Sequence, residues 1–152
     1  MFFMSRALGR DLGWFWYYWL FTTESVDGAI ANLQRAGSRT TVTVRQDGQM
    51  PSPVVLEVRL GPGRAAAPMR GARMVDDSTA LVSVPVEVWF EGRRSYDDVL
   101  DFGARVVQAV TLDPCGRFPD RDPSDNVWPR SAAPAAVPGG GGRSWPGYCT
   151  EQ

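Results

Sequence analysis

Acidic side chains cluster in a turn-rich stretch near the carboxyl end of the sequence. Asp113, Asp120, Asp122 and Asp125 all lie there. Calcium takes about 6 to 8 oxygen ligands, and clustered aspartates can supply them. The candidate calcium ligands are therefore Asp120, Asp122 and Asp125. Prolines interrupt the stretch and its spacing differs from that of an EF-hand loop, so the pattern favours a solvated turn held by Asx-type hydrogen bonds.

The residues that the commoner catalytic chemistries require are missing. The chain of 152 residues contains no histidine and only two cysteines, Cys115 and Cys149. A Ser-His-Asp or Cys-His nucleophile needs an imidazole, and catalytic zinc needs a set of His, Cys and carboxylate ligands. We therefore predict no catalytic residue, no metal ligand beyond the calcium candidates, and no cofactor. We expect the cysteines to be unpaired, because Cys149 lies in a segment that we predict to be disordered, and a Cys115–Cys149 bridge is the alternative.

The element that would position an interaction site is an aromatic stretch near the amino end. Asp11 is a candidate N-cap and Glu24 a candidate end marker, and together they predict a helix over Leu12 to Phe21. The helix is apolar on every side and needs a cover all round. It is shorter than the roughly 20 residues of a membrane span. We expect a protein interface, formed by Trp14, Phe15, Trp16, Trp19 and Phe21.

Beyond Val26 the apolar residues alternate and turn residues become dense, a pattern typical of strands. Pro85 implies a sheet edge or a bulge at that position. Between two of the candidate strands we predict a mobile loop over Arg64 to Ser78. The acidic residues Asp97, Asp98 and Asp101 are assigned to a solvent face. The candidate strands are Asp27 to Leu33, Thr40 to Gln46, Val54 to Leu60, Thr79 to Phe90, Ser95 to Phe102 and Arg105 to Asp113.

This pattern predicts a mainly β fold, an immunoglobulin-like antiparallel β-sandwich preceded by the short aromatic helix. A small barrel is the alternative. Residues 1–24 form the end of a helical region, 25–128 the sandwich, and 129–152 a disordered tail rich in Pro and Gly. With 16 basic and 17 acidic residues, the chain has no net field that would attract nucleic acid.

Several short motifs resemble a known enzyme family. At the amino end they are Gly9-Arg10-Asp11-Leu12, Trp14-Phe15 and Trp19-Leu20-Phe21, and later Leu112-Asp113-Pro114, Pro119-Asp120 and Asn126-Val127-Trp128. In this order they resemble the end of the catalytic region, and the following β-sandwich domain, of bacterial membrane alanyl aminopeptidase-type (gluzincin) zinc metallopeptidases. The resemblance covers Leu8 to Pro129.

The resemblance implies a C-terminal fragment of such a metallopeptidase. The zinc-binding H-E-x-x-H helix of that family has no counterpart here, so zinc is expected only in the missing catalytic region. The chain would be a noncatalytic accessory β-domain packed against that region. A periplasmic or secreted location is favoured through the resemblance. Two alternatives stay open: an independent β-sandwich module binding protein or carbohydrate, and a protein held at a membrane surface by the aromatic helix without spanning the membrane.

Overall fold

A computed structural model describes residues 2–63, 69, 71–130 and 147–149. Two helices come first, followed by strands and by short 3₁₀ segments at Val86–Gly92, Pro123–Asp125 and Gly147–Cys149. The helices and strands are α1 (Phe2–Leu8), α2 (Gly13–Phe21), β1 (Gly28–Ala36), β2 (Arg39–Gln46), β3 (Val54–Leu60), β4 (Ala72–Met74), β5 (Thr79–Val84), β6 (Ser95–Asp101), β7 (Val107–Leu112) and β8 (Val127–Trp128).

The described strands form two antiparallel sheets. One has three strands in the order β1-β2-β6, and the other has five in the order β4-β5-β3-β7-β8. Alternate residues of each strand point into the space between the sheets. This architecture confirms the prediction of a mainly β antiparallel sandwich, and the immunoglobulin-like assignment stays a prediction.

A single apolar core joins the two sheets. Ile30, Val42 and Leu100 from the three-stranded sheet pack in one cluster with Leu56 and Val82 of the five-stranded sheet. All of these side chains are fully buried. The cluster contains no residue of α2 among its buried members, and Trp14 only packs against its border. The sandwich therefore has a closed core without the aromatic helix.

The predicted fourth strand is shorter than its apolar alternation suggested. It ends at Val84, and Pro85 begins the 3₁₀ segment instead. Pro85 has no N–H to donate to the ladder, so pairing stops there. The 3₁₀ segment turns Trp89 inward, where its Nε1 donates to the Ser52 carbonyl at 2.9 Å. Strict alternation along Thr79 to Phe90 would place Phe90 on the apolar face and Trp89 on the other, whereas the structure buries Trp89 and exposes Phe90.

The predicted mobile loop over residues 64–78 contains a short strand. Ala72–Met74 pairs with β5 and adds an edge to the five-stranded sheet. This strand corrects the loop prediction at its carboxyl end. Residues 64–68 and 70 lie outside the described part of the chain.

Asp98 was assigned to a solvent face and is instead buried. In β6 it alternates in step with Tyr96 and Leu100, so the pleat directs all three to the inner face. Burial raises the pKa of Asp98, and hydrogen bonds from Tyr96 and the Val99 backbone oppose that rise. One of its carboxylate oxygens, Oδ2, has no hydrogen-bond partner in the described residues.

The carboxyl-terminal residues make attachments that the sequence did not indicate. Cys115 and Cys149 form a disulfide with their Cα atoms 5.6 Å apart, so the prediction of unpaired cysteines was wrong. The Arg130 guanidinium donates to the Ile30 carbonyl at 3.1 Å. The rest of the predicted disordered tail, residues 131–146 and 150–152, lies outside the described residues.

We expect Asp98→Asn to stabilise the protein at pH 7 by about 1 kcal/mol, because an ionised carboxylate is then no longer held in the interior. The pKa of Asp98 is higher in the folded than in the unfolded state. Its ionisation therefore opposes folding at neutral pH, and the opposition disappears as pH falls below the unfolded value.

Urea unfolding of the wild type and the variant between pH 7 and 4 measures this gain. The neighbouring exposed residue supplies the control, Asp97→Asn, which should change little across the range. A gain for Asp98→Asn that is constant with pH would contradict the assignment.

Candidate functional site

The aromatic helix α2 carries four of the nine large hydrophobic side chains that are exposed in the described part of the chain. None of its nine residues is buried. The exposed fractions are 69% for Phe21, 58% for Tyr17, 57% for Leu20 and 42% for Trp19. Exposed apolar area on the order of several hundred Å² usually marks an interface.

The backbone around α2 explains its position. Helix α1 ends at Leu8, and the positive φ of 61° at Gly9 lets the Arg10 N–H donate back to the Ser5 carbonyl at 3.1 Å. The structural N-cap is Leu12, and Asp11 accepts from the Gly13 N–H at 2.8 Å. At the other end, the Thr22 hydroxyl donates to the Tyr18 carbonyl at 2.9 Å. The predicted helix is thus confirmed, with its cap shifted by one residue.

The rings of α2 mostly contact one another. Phe15 lies edge-on to Trp16, with centroids 5.1 Å apart, and is tilted against Trp19 at 5.6 Å. Tyr17 and Tyr18 form a second edge-on pair at 5.2 Å. Trp16 Nε1 is buried without a hydrogen-bond partner in the described residues. These local pairs keep the rings ordered but leave the outer side of α2 uncovered.

The structure separates the predicted interface residues into two groups. Trp14, Phe15 and Trp16 are half-buried, whereas Trp19 and Phe21 are exposed. Tyr17 and Leu20 are exposed as well and were missing from the prediction. The signal that could have found them was the apolar character of α2 on all sides. We call Tyr17, Trp19, Leu20 and Phe21 the aromatic surface.

A groove of about 280 Å³ lies between α2 and the 3₁₀ segment Val86–Gly92. Its walls carry aromatic rings from both elements, with arginine, glutamate and amide groups at the rim. The lining residues include Trp14, Tyr18, Trp89, Phe90, Arg93 and Arg94. Trp14 is thus the aromatic residue of α2 that both lines the groove and packs against the core.

The acidic stretch is organised by hydrogen bonds to protein groups. Asp120 Oδ2 accepts from Asn126 Nδ2 at 3.0 Å and from the Gly28 N–H at 3.3 Å. Its Oδ1 accepts from the Asp122 N–H at 3.0 Å. Asp122 in turn accepts from the Ser124 N–H at 3.0 Å. The expected Asx-type hydrogen bonds are present.

The pKa values of the carboxyl groups in and beside this stretch are shifted in different directions. Hydrogen bonds from the Ser124 hydroxyl and N–H lower the pKa of Asp122. Burial, reinforced by the charge of Asp122, raises the pKa of Asp125. The pKa of Asp27 is raised as well, by burial and by the negative charges of Asp120 and Asp47. Within the described residues no three His, Cys, Asp or Glu side chains come together in a group that could hold a metal ion.

The motifs of the carboxyl half bind the polypeptide to the sandwich. The Asp113 N–H donates to the Val55 carbonyl at 2.8 Å, and Asp113 Oδ2 accepts from the Phe118 N–H at 2.9 Å. The Leu112 N–H donates to the Asn126 carbonyl at 2.8 Å. Trp128 packs against the core from β8. In this chain these motif residues have architectural roles.

No protein-family model, curated protein or solved structure matches this chain. Of the helices in the described part, none combines the length and apolar character needed to cross a membrane.

We expect replacement of Trp19 and Phe21 by serine to lower self-association and hydrophobic-dye binding of the full chain. Both rings are exposed, so the melting temperature should change little. Val99→Ser is the matched control, because Val99 is an exposed apolar residue of the three-stranded sheet. Sedimentation velocity measures the association. Equal effects of the two changes would show that the aromatic surface is not a specific contact.

Asp120→Ala should destabilise the sandwich by about 1–2 kcal/mol, because it removes a carboxylate that accepts from Gly28 on β1 and from Asn126. Asp122→Ala removes only the two local bonds from the Ser124 N–H and hydroxyl, at an exposed position, and should cost much less. Chemical denaturation compares the two variants. Equal losses would contradict the assignment of Asp120 as the link between β1 and the acidic stretch.

Proposed function

We propose that this chain is the noncatalytic accessory β-domain of an alanyl aminopeptidase-type zinc metallopeptidase, and that α2 packs against the catalytic region. The observation that carries the proposal is the contrast between a closed sandwich core and a helix with no buried residue. Large aromatic side chains gain about 1.5–3 kcal/mol each on burial. A partner surface that covers α2 would account for the concentration of aromatic side chains on this short exposed helix.

The motif order supports the choice of partner. The Gly9-Arg10-Asp11-Leu12 segment is the turn between α1 and α2, and it leads directly into the aromatic helix. In the resembled peptidases this turn and helix lie near the end of the catalytic region, before the β-sandwich. The same order of helix and sandwich is found here. The catalytic region is therefore the proposed occupant of the aromatic surface.

Chemistry in the complete enzyme would be divided between the two parts. This sequence has no histidine, so the zinc ligands and the water-activating glutamate would belong to the catalytic region. The sandwich would contribute packing area and hold α2 at a fixed position. Covering the aromatic surface would remove apolar area on the order of several hundred Å² from water.

A second candidate function is supported by the groove between α2 and Val86–Gly92. Aromatic faces beside arginine and glutamate side chains suit carbohydrate, which offers both apolar faces and hydroxyl groups. The chain would then be an independent β-sandwich binding module. Phe90→Ala should abolish carbohydrate binding in that case, whereas Trp19→Ser should leave it unchanged, since Trp19 does not line the groove.

The purified chain should show no turnover of aminoacyl-nitroanilides, with or without added zinc, because its sequence lacks the histidine ligands of that enzyme class. A chromogenic assay at micromolar protein measures this. The control is a peptidase of the resembled class assayed in parallel. Chelator-sensitive turnover that follows the purified chain through chromatography would overturn the proposal.

The partner assignment has its own test. A catalytic region of such a peptidase, taken from the same genome, should form a complex with the full chain, measured by sedimentation velocity. The combined Trp19→Ser and Phe21→Ser variant should lose the complex, and Val99→Ser should keep it. A complex that survives loss of both rings would contradict the role assigned to α2.

A further inference from the structure

A small cavity lies at the end of the sandwich where β1 begins and β2 ends. Its volume is about 20 Å³, which gives room for one water-sized body. Core residues of both sheets line it, among them Val44 and Leu112. Polar residues from the end of β2 and from the chain after β7 complete the wall, namely Gln46, Asp113 and Asp120. We call this space the strand-end cavity.

Gln46 brings an unpartnered oxygen to this end of the sandwich. Its side chain alternates in step with Val42 and Val44 along β2, so the pleat directs it between the sheets. The residue is 7% exposed. Its Oε1 atom is buried and has no hydrogen-bond partner in the described residues. A buried carbonyl oxygen in this state costs free energy unless something donates to it or coordinates it.

Asp113 supplies a second oxygen of this kind. Its backbone N–H donates to the Val55 carbonyl at 2.8 Å, which fixes the residue at the end of β7. Its Oδ2 accepts from the Phe118 N–H at 2.9 Å. Its Oδ1 is buried and has no partner among the described residues. The carboxylate is therefore held in place through one oxygen, and the other oxygen remains available.

The N–H groups along the wall already have acceptors. Trp89 Nε1 donates to the Ser52 carbonyl at 2.9 Å, and the Gly28 N–H donates to Asp120 Oδ2 at 3.3 Å. The Phe118 N–H is taken up by Asp113, as described above. The two oxygens that remain are both acceptors. Their partner must therefore be a donor or a cation that is not among the described residues.

The charge of the wall favours a cation. Asp113 and Asp120 both line the cavity, and neither forms an ion pair within the described residues. Burial and the negative charges of Asp120 and Asp47 raise the pKa of nearby Asp27, and the charge of Arg121 opposes that rise. A water molecule would donate to the two oxygens but would leave the carboxylates uncompensated. A cation would satisfy the oxygens and balance the charge.

We propose that the strand-end cavity binds one monovalent cation, sodium, potassium or ammonium, through Gln46 Oε1 and Asp113 Oδ1, with the Asp120 carboxylate beside it. Carboxylate and carbonyl oxygens are the ligands of hard cations. Calcium takes about 6 to 8 oxygen ligands, and magnesium keeps several of its waters. A cavity with room for one water-sized body accommodates neither arrangement. A monovalent ion close to water in size fits it.

The bound ion would connect the two sheets at their open end. Gln46 belongs to the three-stranded sheet, and Asp113 directly follows β7 of the five-stranded sheet. The two residues lie far apart in sequence, so the unfolded chain has no such site. Because the ion binds the folded state alone, it stabilises the fold in proportion to its occupancy.

The test is thermal unfolding of the full chain in sodium, potassium, ammonium or tetramethylammonium chloride at one ionic strength. Tetramethylammonium carries the same charge but is too large for the cavity. We expect the melting temperature to be several degrees higher in the salt of the preferred small cation. The gain should increase with the concentration of that cation when tetramethylammonium keeps the ionic strength constant.

Asp113→Asn is the variant that isolates the site. Asparagine accepts the positive φ of 44° at this position and keeps an oxygen for the Phe118 N–H. Its amide replaces the negative charge and can donate to Gln46. We expect the cation dependence to disappear, with a melting temperature in tetramethylammonium at or above that of the wild type. Asp97→Asn removes an exposed carboxylate and should keep the full dependence.

Each other outcome counts against the site. Equal melting temperatures of the wild type in all four chlorides would show that the cavity holds water only. A gain that survives in Asp113→Asn would place the cation elsewhere. A gain confined to added calcium or magnesium chloride would show a divalent site. None of these measurements involves a partner protein, so they are independent of the peptidase proposal.

Discussion

The shared core between the two sheets is the constraint on which the other features depend. Fully buried aliphatic side chains from both sheets, including Ile30, Val42, Leu56 and Leu100, fill one cluster. Each strand contributes alternate residues, and the register of the ladders fixes which residues those are. The buried members of this core come from the strands, from the 3₁₀ segment Val86–Gly92 and from Phe102, and none comes from α2. The aromatic helix therefore lies outside the core, with Trp14 against its border.

The alternation of side chains along each strand also determines which face of its sheet a carboxylate occupies. In β6 it places Asp98 between Tyr96 and Leu100 on the inner face, and in β3 it places Glu57 on the outer face. The two carboxylates differ in their hydrogen-bond partners. Asp98 is buried by the sandwich itself and keeps one oxygen without a partner among the described residues. Glu57 is also buried and has both Arg59 and Tyr148 as partners.

Much of the fold could be predicted because it follows local alternation. The strand Val54 to Leu60 was predicted with the bounds that the structure shows. The predicted strands Thr40 to Gln46 and Ser95 to Phe102 each differ from the observed strand by one residue at one end. Pro85 signalled the break in the Thr79 to Phe90 run, but the 3₁₀ geometry that turns Trp89 inward depends on packing against the core. The position of Asp98 was already present in the alternation and was overridden by the preference of aspartate for water.

The features that could not be predicted join residues that are distant in sequence. The Cys115–Cys149 bridge and the Tyr148 contact with Glu57 need the turn after β7 and the carboxyl-terminal segment to lie on the same side of one sheet. No periodicity encodes that proximity. The candidate site was predictable in its position, since the apolar run from Leu12 to Phe21 is explicit in the sequence. The sequence did not indicate which side of α2 is exposed, because that side depends on where Trp14 packs against the sandwich.

The aromatic surface and the carboxyl-terminal segment Gly147–Cys149 differ in what holds them. Tyr148 of that segment donates to Glu57, and the Cys115–Cys149 bridge joins the segment to the turn after β7. The exposed rings of Trp19 and Phe21 have no comparable long-range attachment among the described contacts. This contrast supports the proposal that a partner surface covers α2.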